Sequence, residues 1–131
     1  SGYLSLAADL HKRTNFHGEP FNFGPPSNQN HTVLELVQSM SKYWHKVSWE
    51  NISDNEEKPY ESGLLKLNCD KALHCLQWQA ALSFQETVRM TAEWYSSYYE
   101  NPSNIRGVTL SQIKEYQAFA IDKELRWTQL L

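Results

Sequence analysis

Three times along this chain a hydroxyl residue is followed, three positions later, by Glu or Gln and then by apolar residues at helical spacing. Thr32 with Glu35, Ser83 with Glu86 and Thr109 with Gln112 each carry this pattern. In such a box the hydroxyl accepts a free amide of the first helical turn, while the third side chain reaches back to the amide of the cap. A chain marked in this way must give much of its length to helix. Val33, Leu36, Met40, Tyr43 and Val47 continue the first signal and predict a helix over about 32–45. Phe84, Val88, Thr91, Ala92, Tyr95 and Tyr98 continue the second, predicting the longest helix of the chain, stopped by Pro102. Leu110, Ile113, Tyr116, Gln117 and Ala120 place a last helix from near Thr109.

Two further helices follow from spacing and composition: one over about 2–13, carried by Tyr3, Leu6, Ala7 and Leu10, and one of about two turns over 70–76. Residues 21–23 alternate apolar and polar side chains before Gly24-Pro25-Pro26, and residues 47–49 and 64–67 also resemble short strands. The expected fold class is therefore α/β: one helix-rich domain over 1–131 with a few short strands. Strands so short rarely make an independent sheet, so they are expected to join or face something larger. Residues 51–58 are polar and charged, and mobility is expected there. Beyond Asp122, the apolar Leu125, Trp127, Leu130 and Leu131 either extend the last helix or pack as a tail.

Composition removes several classes of function. A chain of 131 residues that is 40% hydrophobic and 13% aromatic can own a core. The net charge of -3 comes from 12 basic and 15 acidic residues scattered in both signs, which leaves no footprint for a nucleic-acid backbone. No apolar run approaches the roughly 20 residues that cross a bilayer, and the first ten residues have neither a basic leader nor a cleavage-like end. A soluble, cytoplasmic protein is expected. Cys69 and Cys75, if on one helix, face different sides and are expected to be reduced thiols. The histidines, His11, His17, His31, His45 and His74, show no pair at metal-ligating helical spacing.

The chain also lacks a glycine-rich dinucleotide fingerprint, a phosphate-cradling loop and a nucleophile elbow. No Tyr is followed four residues later by Lys, so proton abstraction from a sugar hydroxyl by that pair has no support here. What remains is Lys58 with Glu61, three residues apart beside the segment 64–67. An ammonium neutralises diphosphate charge and a carboxylate accepts hydrogen bonds from ribose hydroxyls. Spacing alone favours a solvated charged loop, because such residues are common in loops and exposed pairs contribute little. Asn22 is a weaker candidate, an amide beside the turn that either reaches a nucleotide or satisfies the turn.

Read in order, several segments resemble the extended short-chain dehydrogenase/reductase family, its sugar-nucleotide 4,6-dehydratases and, among these, the CDP-glucose branch. Residues 1–7 are similar to the helix after the family's substrate-domain strand, and Phe21-Asn22-Phe23-Gly24-Pro25 to the strand and turn that follow. Leu64 to Ala72 resembles the strand-to-helix signature and Leu76-Gln77-Trp78 the motif closing that helix. Glu93-Trp94-Tyr95 is similar to the end of the long terminal helix, and Leu110 to Ile113 to a tail particular to the CDP-glucose branch. Asn68 stands where aspartate is usual and Gln77 where glycine is expected.

The resemblance implies the carboxy-terminal, substrate-binding portion of an enzyme whose Rossmann domain, upstream, holds NAD. It implies oxidation at C4 of the glucosyl group, elimination of water across C5 and C6, and return of the hydride to C6, with no cofactor bound by this portion. It puts Lys58 and Glu61 at the positions that contact diphosphate and ribose in relatives. The implied partners are a nucleotide-sugar, the Rossmann domain and a possible second copy. Another nucleotide-sugar dehydratase or epimerase is the near alternative. A helical interaction module, docking a partner through residues 94–99 and 119–127, is the alternative from another class.

Overall fold

Thr32 and Ser83 cap helices as their sequence signals require. The computed structural model describes residues 1–50 and 66–130. The Thr32 hydroxyl accepts the Glu35 amide at 3.1 Å and the Glu35 carboxylate accepts the Thr32 amide at 2.7 Å, which starts α2 (Val33–Ser41). Ser83 and Glu86 exchange the same bonds at the head of the helix Phe84–Glu100. In chain order the elements are α1 (Gly2–Lys12), a 3₁₀ turn at Thr14–Phe16, α2, α3 (Asp70–Leu76), α4 (Phe84–Glu100), a 3₁₀ turn at Pro102–Asn104, α5 (Ile105–Asp122) and a closing 3₁₀ turn at Arg126–Leu130.

No strand occurs among the described residues, so the α/β expectation is overturned in favour of a helical fold. The alternation at 21–23 is real: Phe21 and Phe23 stack 6.5 Å apart and pack on a core of Phe16, Ala72, Leu76 and Trp78. A strand, however, needs a backbone partner as well as an apolar side. Segment 21–24 lies beside residues 67–69, and the bond between them is side chain to backbone, from the Asn22 amide to the Asn68 carbonyl at 3.2 Å. At 47–49 the chain instead leaves α2 through turns, with the Trp44 amide on Met40 O and the Val47 amide on Trp44 O, so α2 is also shorter than its stripe predicts. Residues 64 and 65, and the stretch 51–58 expected to be mobile, lie outside the described residues.

The third capping signal is a misreading as well. α5 begins at Ile105, straight after the 3₁₀ turn that contains Pro102, and Thr109 lies inside it. There the hydroxyl donates back to the Ile105 carbonyl at 2.8 Å and accepts the Trp94 indole N–H at 2.9 Å. The extra turn makes α5, with 18 residues, longer than α4 with 17, reversing the expected order.

α4 is the central element. Both α2 and α5 pack against it, and Val88, Met90 and Ala92 are buried although they share no single narrow stripe. Arg89 joins α4 to α5 by reaching Glu115 at 2.5 Å and holds Glu93 at 2.8 Å, and these carboxylates raise its pKa, Glu115 first. Past α5 the chain turns through Glu124 at φ 51, and the Leu125 amide returns to Ala120 O at 3.0 Å. Leu125 thereby joins Ala81 and Ala120 in a second small core flanked by Tyr116 and Trp127, so the tail packs and does not extend the helix. No helix among the described residues is long and apolar enough to cross a membrane.

Candidate functional site

The apolar core around Trp78 opens on one side into a groove. Its wider part has a volume of about 710 Å³ and adjoins a second concavity of about 440 Å³; Gly24, Pro25, Pro26, Ser27, Lys66 and Trp78 line both. Trp78 reaches this position because α3 stops abruptly. Gln77 takes a left-handed conformation, φ 53 and ψ 34, and both its amide and that of Trp78 return to the Ala72 carbonyl, the latter at 3.2 Å. The indole is then 9% exposed, edge-on to Phe23 at 4.9 Å, and donates to the Ser1 hydroxyl oxygen at 3.1 Å. Ser1 in turn shares a 2.7 Å hydrogen bond with Tyr116 of α5, whose ring stacks on Trp127 at 6.0 Å.

At the other end of the wider part, His31 stacks on Phe84 with ring centroids 3.6 Å apart, and its Nδ1 lies 3.8 Å from Glu35. The Thr32 amide and, less strongly, its hydroxyl hold the Glu35 carboxyl below the usual carboxylate range. The described residues lining this wider part include Lys66 and His31 but neither Asp nor Glu. The smaller concavity adds one carboxylate, Asp70. The Lys66 ammonium donates to the Ser27 carbonyl at 2.6 Å. Aromatic walls and a cation favour a flat, anionic ligand.

Of the residues singled out from sequence, Lys58 and Glu61 lie outside the described residues. Asn22 is exposed, ties its segment to Asn68, and is not among the residues lining either concavity. Sequence reasoning missed Lys66, Trp78, Tyr116, Ser1 and His31. Lys66 was present only as part of a supposed strand, and no local pattern brings residue 1 to residue 116.

The expected metal-free reading of the histidines stays an expectation, although no group of potential ligands gathers among the described residues. Both cysteines are free thiols. A third, smaller hollow beside Asp9 is structural: Arg13 holds that buried carboxylate at 2.7 Å, and Arg126 approaches it at 3.6 Å while donating to Leu76 O at 3.0 Å. The aromatics proposed to dock a partner are partly spent within the fold, since Trp94 is tied to Thr109 and stacks on Tyr98 at 5.6 Å.

Across 99 residues the chain is 32% identical to CDP-glucose 4,6-dehydratase of Salmonella typhimurium strain LT2. The chain is thus related to a nucleotide-sugar dehydratase. The match takes in 75% of this chain and 27% of that relative, so the chain spans about a quarter of the length of the curated relative it matches. No protein-family model and no solved structure matches it.

Proposed function

We propose that this chain is the substrate-binding portion of an NAD-dependent sugar-nucleotide 4,6-dehydratase acting on CDP-glucose, and that it is not catalytic alone. The observation that carries the reading is its similarity to the Salmonella enzyme of that name. The groove supports it, because aromatic and proline surfaces suit a base or sugar, and the Lys66 cation suits a diphosphate. Lys58 and Glu61 are proposed to add diphosphate and ribose contacts, and Asn22 a further contact from the neighbouring segment.

NAD does not fit this chain's own residues, since no glycine-rich turn before a helix is present to receive its pyrophosphate. The redox and elimination steps therefore belong to residues elsewhere in the intact cytoplasmic enzyme. Tyr3 and Leu4 on α1 and Val33 on α2 are 81%, 78% and 77% exposed, apolar side chains of the kind that a Rossmann domain or a second copy would cover. With only one wall of the cleft, binding is expected to be weak, at about 1 mM, which corresponds to roughly -4 kcal/mol. Titrating CDP into the chain while following amide and indole NMR signals should move Trp78, Gly24 and Lys66 in fast exchange. CDP-glucose turnover by the chain without added NAD, or groove signals that stay fixed, would overturn the reading.

A further inference from the structure

We infer that Lys66 is the groove's anion anchor, the side chain that selects the phosphorylated form of a nucleotide over the uncharged nucleoside. The inference deepens the reading above and rests on it for the nucleotide, but the anion preference rests on geometry.

Among the described residues Lys66 is the one Lys or Arg that lines either large concavity. Of the other described cations, Arg13, Lys71, Arg89, Lys123 and Arg126 sit within 4 Å of a carboxylate, whereas Lys12, Lys42, Lys46, Arg106 and Lys114, which lack such a partner among the described residues, line neither large concavity. Among the described residues Lys66 has no such partner; its one protein acceptor is the Ser27 carbonyl at 2.6 Å. An ammonium has three donors, so two remain for a ligand. The Ser27 bond also restrains a side chain that otherwise gives up much rotamer freedom on binding. Trp78, Pro25 and Pro26 line the same groove, and among the described residues no carboxylate lines its wider part.

A purely structural role, pinning the loop 24–27, needs only a donor to Ser27 and no positive charge. Lys66→Gln keeps an N–H donor and removes the charge, Lys66→Arg keeps both, and the side chain is exposed, so both variants should fold. The experiment compares binding of CDP and uncharged cytidine to the full chain by NMR, at two salt concentrations, with inorganic pyrophosphate as a third probe. The wild type and Lys66→Arg should prefer CDP by about tenfold, and Lys66→Gln should lose most of that preference, with any remainder due to Lys58. The preference should also shrink at high salt. A CDP preference that survives Lys66→Gln undiminished overturns the anchor and leaves the sugar-nucleotide reading standing. Pyrophosphate shifts that depend on Lys66, without any CDP preference, sink that reading and keep the anchor. A wild type that responds to no probe sinks both.

Discussion

Replacing Gln77 by glycine should stabilise the protein, although it deletes a whole side chain. Gln77 sits at φ 53, where a β-carbon crowds the backbone, and the left-handed conformation costs a non-glycine residue about 1–2 kcal/mol. Glycine removes that cost but loses about 0.5–1 kcal/mol more conformational freedom on folding. The difference spans about 0 to 1.5 kcal/mol, and its middle is a net gain of about 0.5–1 kcal/mol. The Gln77 side chain is exposed and makes no hydrogen bond among the described residues, so little is lost with it. Urea denaturation should show a higher midpoint at constant slope, and thermal melting a rise of about 2–4 °C. Gln77→Ala is the decisive control, because alanine deletes the same polar group but keeps the β-carbon; it should stay close to wild type. If Gln77→Gly destabilises the chain, or if alanine matches glycine, the strain argument fails. Trp78 indole fluorescence should be unchanged in both variants, since the amide bonds to Ala72 that place it do not involve the replaced side chain.

Thr109→Val should cost about 1–2 kcal/mol by leaving the part-buried Trp94 N–H without an acceptor, whereas Thr109→Ser should be nearly neutral; urea midpoints decide between them. The capping boxes give the fold an acid limb. The Thr32 amide first, and the Ser83 amide first, hold Glu35 and Glu86 below their usual 4.5, so their contribution is complete above 4.5 and is lost as pH falls through their lower folded values. Ser83→Ala should remove about 1 kcal/mol at neutral pH by unpairing the Glu86 amide, whereas Glu86→Gln should flatten that acid slope, as a urea-midpoint series against pH would show; an unchanged slope in Glu86→Gln would refute the carboxylate's role.

The helices were legible because their signals are local. A cap and a 3.6-residue stripe need nothing beyond one turn of chain, and α1 and α3 followed the spacing closely. Thr109 shows the limit of such a signal. The same hydroxyl and amide spacing serves a helix start or a mid-helix residue bonding back to the fourth carbonyl before it, and only the preceding Pro102 turn decides. The strands failed for a different reason. Alternation tells which side of 21–23 is buried, but whether a backbone partner exists is a non-local fact. Here the neighbouring segment is reached by an amide side chain. The site was less legible again, because Ser1, Lys66, Trp78 and Tyr116 meet only through tertiary packing.

That packing gives the groove a particular mechanical character. Its walls are joined by single side-chain bonds, Asn22 to Asn68, Lys66 to Ser27, Trp78 to Ser1 and Ser1 to Tyr116, where a sheet would supply a continuous ladder. Each such bond contributes about 1 kcal/mol net, so any one can exchange for a ligand or a covering surface at small cost. The apolar floor beneath, with Ala72 and Leu76 essentially inaccessible, does not depend on those bonds. A rigid floor with individually replaceable wall contacts suits a half-site whose other wall comes from elsewhere: the floor holds Trp78 in place while the rim adjusts to whatever closes over it.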